Sequence, residues 1–211
     1  MAGHDRYARD LRSLQLALRM LHHGARTHTI CAFTGLTPQR VRKLAKQVRR
    51  GDSKDVNRQR GPSPKRLANL LASPYLNLEF SAIAGLCQWA GVLPKEALVH
   101  PEKSFPGIER GERLCYTLEL FQAIVPYSRV TLEQLILLVT SLAERTEWQL
   151  GTCHACSAAI LIDLLGAKST LCVSCERERG KGRGASTTGF EVSPDRLPEA
   201  DWSEAVQQSL F

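Results

Sequence analysis

Leucines stand at positions 11, 14, 18 and 21, alternately three and four residues apart, with arginine, serine and glutamine among the residues between them. That spacing keeps one face of an α-helix apolar, so it predicts an amphipathic helix from Asp5 to His23, stopped by Gly24. From Ala25 to Val48 the pattern forms two shorter helices broken around Gly35. Leu67 to Leu71 predicts a short turn of helix before Pro74. Tyr75 to Trp89, Glu112 to Val125 and Thr131 to Trp148 carry three further helical patterns, with Gly91, Pro94, Pro101, Pro106 and Pro126 marking the breaks. In the last of these, Leu132, Leu135, Ile136, Leu138, Val139 and Leu142 form a broad apolar face that reads as core, wide enough for one side to meet another subunit.

After Trp148 the period changes. Trp148 to Thr152, Ala159 to Leu164 and Thr170 to Val173 are short apolar or β-prone runs, each expected to be a strand. Gly51 to Ser63 has no periodicity and is rich in Gly, Pro, Asp, Asn and Arg, the composition of an exposed loop. Most of 176–211 is rich in charge, Gly, Ser, Thr and Pro and is expected to be disordered, with Trp202 to Phe211 able to form a small helix on a partner. The expected fold is mainly α, a helical domain with an N-terminal helix-turn-helix-like unit followed by a small C-terminal four-cysteine zinc-ribbon-like subdomain. Its parts are residues 1–50 (helix plus helix-turn-helix), 51–66 (basic loop), 67–147 (helical body), 148–176 (ribbon) and 177–211 (tail).

Cysteines give those strands a purpose. Cys153 and Cys156, then fifteen residues, then Cys172 and Cys175 form the frame C-x2-C-x15-C-x2-C. Each short spacer lets a tight turn aim two sulfurs at one tetrahedral ion, the arrangement of a closed, structural zinc site. Four cysteines can also pair as two disulfides. Met1 to Arg12 is polar and charged, without the apolar core of an export signal, which favours one structural Zn2+ and a reducing, cytoplasmic setting. Cys31, Cys87 and Cys115 lie apart in apolar surroundings and read as buried small hydrophobes. His154 sits within a knuckle whose flanking cysteines hold the metal, so its ring points away. His22, His23 and His28 have no carboxylate or nucleophile at matching spacing and read as surface residues.

Charge is distributed unevenly. The 211 residues carry a formal net charge of +7, and between Thr37 and Arg66 eleven lysines or arginines face only Asp52 and Asp55. That segment is +9 and the remainder −2, a concentration that points to a polyanion and first to nucleic acid. No run approaches the ~20 consecutive apolar residues of a membrane span, so no membrane partner is expected. Neither a phosphate loop, a nucleophile with its base, nor an open three-ligand metal site is present, so no enzyme is expected.

Basic charge and helix breaks coincide. In Ile30 to Leu44, Cys31 is a small residue four before Gly35, and Gly35 supplies a left-handed turn. Thr37 is placed to cap a second helix with Pro38 at its first position. Leu36, Val41 and Leu44 pack that helix inward, which leaves Gln39, Arg40, Arg42, Lys43 and Lys46 outward. Gln39, Arg40 and Arg42 at the front of such a helix can read base edges, and Thr37 and Lys43 are counted with them as DNA-binding candidates. Lys46, Arg49 and Arg50 can hold phosphates, and Arg58, Arg60, Lys65 and Arg66 would continue the positive surface. An ordinary helical hairpin with a solvated basic face fits the same pattern.

Taken in order, "HHGARTHTICAFTGLTPQRVRKLAKQVRRG", the link "GPSPK", and "EWQLGTCHACSAAILIDLLGAKSTLCVSC" make a recognisable series. It resembles FlhC, the zinc-containing subunit of the bacterial flagellar master activator FlhDC, and relatives on conjugative mobile elements. The likeness covers residues 8–177, and Cys153, Cys156, Cys172 and Cys175 match the family's zinc ligands. It implies a hetero-oligomer with a small helical FlhD-like subunit, double-stranded promoter DNA as ligand, and recruitment of RNA polymerase. Asp52 to Arg60 looks inserted, and "RLANLLASPYLNLEF" replaces the family's aromatic-rich stretch. A transfer activator of a mobile element therefore matches as well as a flagellar one. The expected function is the DNA-binding subunit of a heteromeric transcription activator, with a protein-binding zinc-ribbon adaptor or an RNA-binding accessory subunit as the alternatives.

Overall fold

A computed structural model describes residues 2–50, 66–94, 106–166 and 170–181. Its helices are α1 (Ala2–His22), α2 (Thr27–Thr34), α3 (Pro38–Arg50), α4 (Leu67–Leu71), α5 (Pro74–Trp89), α6 (Ile108–Ile124), α7 (Leu132–Glu144) and α8 (Val173–Lys181). Two strands, β1 (Trp148–Thr152) and β2 (Ala159–Asp163), lie between α7 and α8. The protein is mainly helical, with a small two-stranded sheet and a cysteine cluster at its C-terminal side, as the patterning predicts. Among the described residues no helix is long and apolar enough to cross a membrane.

α7 carries a broad apolar face and buries it. Leu132, Leu135, Leu138, Val139, Leu142 and Ala143 are all buried, and Thr131 and Gln134 close its start as a reciprocal capping box. The helix ends at Arg145, in the left-handed region at φ 54°, short of the expected Trp148. Trp148 is released to begin β1 while its ring stays in the core. α5 and α6 pack against α7, and Phe80, Ile83, Ala84 and Cys87 of α5, Leu114, Leu118 and Phe121 of α6, and Leu16, Ala17 and Met20 of α1 share its core. The face of α7 that could have met another subunit is thus mostly occupied within the chain, with Ile136 half-buried.

On α1 the structure corrects the expected face in part: Leu21 is buried as expected and Leu14 packs against the core, but the face is not centred on the leucines. Leu16, Ala17 and Met20 are buried, whereas Leu11 is 58% exposed and Leu14 and Leu18 are half-buried. Two apolar stripes share this helix, and α6 and α2 pack on the one containing Ala17 and Met20. α6 lies along α1 with matching ion pairs, Arg12 to Glu112 and Arg19 to Glu119, each a two-pronged contact. Because both indices rise together, the two helices run parallel.

α1 ends in a reverse turn in which Gly24 N–H donates to Leu21 and Ala25 N–H to Met20, at 3.0 and 2.9 Å. α2 and α3 then form the expected hairpin. Gly35 sits at φ 70°, and its N–H closes on the Cys31 carbonyl at 2.9 Å, a conformation that favours glycine.

The sheet is a simple antiparallel hairpin, Trp148 opposite Asp163 and Thr152 opposite Ala159. Its faces explain the apolar run of β2. Leu150 and Leu161 pack on the helical core, while Ile160 and Ile162 join a second small cluster with Cys153, Cys172 and Leu171. The third expected strand, Thr170 to Val173, does not form. Thr170 accepts a bond from His154 N–H, at 3.0 Å, and the chain turns into α8.

Candidate metal centre and basic helix

The β1–β2 turn is the first cysteine knuckle. Cys153 N–H donates to the Ala158 carbonyl at 2.8 Å and Ser157 N–H to the Cys153 carbonyl at 2.9 Å, which fold Cys153 and Cys156 onto one side. The second knuckle is the start of α8, where Glu176 N–H donates to the Cys172 carbonyl at 3.0 Å. Cys172 ends the turn and Cys175 lies in the helix's first turn.

The two knuckles bring four sulfurs together. Cys153, Cys156, Cys172 and Cys175 place their Sγ atoms all within 4.8 Å of one another, and all are free thiols. Four thiolates around an ion at about 2.3 Å would stand about 3.8 Å apart along each edge of the tetrahedron. Cys156 Sγ and Cys172 Sγ stand 3.7 Å apart. Backbone N–H groups support the cage, Cys172 to Cys153 Sγ at 3.2 Å and Cys175 to Cys172 Sγ at 3.4 Å.

Backbone N–H groups of Cys172, which contributes most, Cys156 and Ala155 hold the Cys153 thiol down to about 6. Hydrogen bonds to Cys172 and Cys156 instead push Cys175 up to about 12. Four adjacent sulfurs cannot all carry charge without a cation among them, so the donor set fits a metal ion that replaces the shared protons. The set is complete at four, and a tetrahedral ion held by it has no position left for a substrate.

The remaining cysteines are of a different kind. Burial pushes Cys87 and Cys115 up to about 12, and it raises half-buried Cys31 as well. His154 is exposed, and His22 and His28 are exposed too. His23 departs from the surface expectation: its ring, 14% exposed, lies against Glu119 with Nε2 2.8 Å from the carboxylate. The partner that makes this contact stands 96 residues away, so sequence spacing could not show it.

α3 carries the basic surface. Val41 is fully buried, Leu36 is 8% exposed and Leu44 is half-buried against the core, as the pattern requires. Gln39, Arg40, Arg42, Lys43 and Lys46 are all exposed. Thr37 Oγ1 accepts from Arg40 N–H at 3.4 Å, so its hydroxyl serves as the helix cap. Arg49 and Arg50 lie in the last turn of α3. Arg66 is exposed at the start of α4, on a separate element, and Arg58, Arg60 and Lys65 lie outside the described residues, as does most of the expected 51–66 loop. One neighbour escaped the sequence pattern: Asp10 of α1, whose Oδ2 stands 3.9 Å from Arg40 Nη1.

Fold and site together define a mainly helical protein with a helix-turn-helix-like hairpin and a four-cysteine ribbon able to hold a metal ion. No family model matches the chain, and a search of curated proteins finds no match.

Proposed function

We propose that this chain is the DNA-binding subunit of a heteromeric bacterial transcription activator. One observation carries the proposal: α3 buries Val41 while turning Gln39, Arg40, Arg42, Lys43 and Lys46 to solvent, directly after a left-handed glycine turn. Glutamine and arginine at the front of such a helix match base edges in a major groove, and the lysines match phosphates. An ordinary solvated face needs no such run of one sign.

The sequence likeness to FlhC supports the remainder of the proposal. The partner is a small helical FlhD-like subunit, the complex recruits RNA polymerase, and the controlled genes are flagellar or conjugative-transfer genes. The ion is Zn2+, the choice that four thiolates favour, and it folds the ribbon without taking part in a reaction. The protein works in the reducing cytoplasm, where four thiols persist.

Gel retardation with purified protein and its partner tests this. Specific duplex is retarded at ~0.15 M salt, where weak surface attraction is screened. Lys43→Ala lowers the log-log salt slope by about one unit, and Arg40→Ala relaxes specificity at one base position. Unchanged binding and slope in both variants would show that α3 does not read DNA. Preferential competition by single-stranded RNA would move the assignment to an RNA accessory, and absence of any nucleic-acid binding to a protein adaptor.

A further inference from the structure

Arg40 is the third residue of α3, where a recognition helix meets the bases. Its backbone N–H is taken by Thr37 Oγ1, and its guanidinium lies beside the Asp10 carboxylate. Asp10 belongs to a part of α1 that supports no core: Tyr7, Ala8, Arg9, Asp10, Leu11 and Arg12 are all exposed. Folding of α1 therefore gives no reason for an acid at that position. At 3.9 Å the pair is an ion pair and not a hydrogen bond, so the carboxylate attracts the guanidinium without consuming its donors.

We propose that Asp10 is a positioning residue that orients Arg40 for base reading and makes binding more selective, an inference that rests on α3 being the DNA-reading helix. Two physical effects act in the same direction. A tethered arginine samples fewer rotamers, so its planar fork meets the two acceptors of a guanine with less ordering to complete. The carboxylate also repels phosphates, which weakens binding to any duplex that offers Arg40 no base partner. Asp10 thus lowers affinity for DNA in general while sharpening the preference for one sequence.

The test uses the full chain with its metal, in complex with its small helical partner subunit. A duplex is selected from a random-sequence pool by the wild-type protein, and affinities for it and for bulk mixed-sequence duplex are compared at ~0.15 M salt. Asp10→Asn tightens binding to bulk duplex, and the ratio of selected to bulk affinity falls about two- to fivefold, the scale of one exposed ion pair. Asp10→Glu, which keeps the charge, retains most of the ratio. In an Arg40→Gln background, Asp10→Asn leaves the ratio unchanged. A ratio that stays constant when Asp10→Asn is made in the wild type, or that falls equally without Arg40, overturns the positioning role while DNA reading stands. A pool that yields no enriched sequence overturns the reading by α3 and this inference with it.

Discussion

Glu133 Oε1 accepts a hydrogen bond from the Thr29 hydroxyl at 2.7 Å, across 104 residues of sequence. The same oxygen accepts from Arg26 N–H at 2.8 Å, so a carboxylate in the first turn of α7 closes the start of α2. The N-cap residue Arg26 makes no side-chain cap of its own, and Glu133, only 7% exposed, accepts from its N–H. It also lies at the positive end of the α2 dipole. Glu133→Ala is expected to destabilise the protein by about 2–4 kcal/mol, since two bonds to a buried charged acceptor are lost and their donors left without it. Urea unfolding measures this; a cost below about 0.5 kcal/mol, the size of an ordinary surface change, would mean the bond does not hold α2 to α7.

Gly111 of α6 faces Leu16 of α1 and Phe33 of α2. A Cβ there would lie 2.7 Å from Leu16 Cδ2 and 3.2 Å from Phe33 Cδ1, both on buried side chains. Alanine improves helix propensity by about 1 kcal/mol, but overpacking costs about 1–3 kcal/mol. Gly111→Ala is expected to lose stability on balance, and a gain in urea midpoint would show that the helices have room to part.

Arg19, and to a lesser degree His23, hold the Glu119 carboxyl below its usual range, and Arg12 does the same for Glu112. A carboxyl that binds its proton less readily when folded stabilises the protein fully above the unfolded carboxylate value, about 4.3. That stability is lost as pH falls through the lower folded value. The difference between wild type and Glu119→Gln should therefore be fully present at about pH 5 and shrink below about pH 4. Because Glu119 is 40% exposed, the plateau should be no more than about 1 kcal/mol and should fall in high salt. A difference that grows as the pH falls below about 4 would contradict the pairing.

Metal removal should act locally. Ile160, Cys153 and Cys172 form their own small cluster, while Trp148, Leu150 and Leu161 belong to the helical core. Chelation is expected to speed amide exchange at Cys153 to Ala158 and at Cys172 to Cys175, with the helical circular dichroism signal nearly retained. Cobalt substitution should give the absorption of tetrahedral thiolate ligation at one ion per chain, and Cys172→Ser should abolish it. Unchanged exchange in the metal-free protein would remove the ion from the folding of the ribbon.

The parts that could be read from sequence are those whose causes are local. Gly35, Thr37 and Pro38 set the α2–α3 turn by backbone preference and capping within a few residues, and the structure has each in its expected place. The cysteine frame was legible for the same reason, because a knuckle is a four-residue object. Where two local tendencies competed, spacing failed. Thr170 to Val173 has strand-forming residues, yet no neighbouring strand pairs with it, and the bond from Glu176 to Cys172 starts a helix instead. Leu11 continues a leucine stripe of α1, yet the core forms on the stripe beside it.

Sequence alone determined the helical class, the hairpin with its outward basic residues and the identity of the four sulfurs, because each follows from periodicity, turn chemistry or short spacing. Tertiary structure alone decided which face of α1 is buried, that Glu133 closes α2, that His23 meets Glu119 and that Asp10 stands beside Arg40. Those relationships join residues up to 107 positions apart. A local pattern states what a segment can bury or donate, but only packing determines which distant segment receives it.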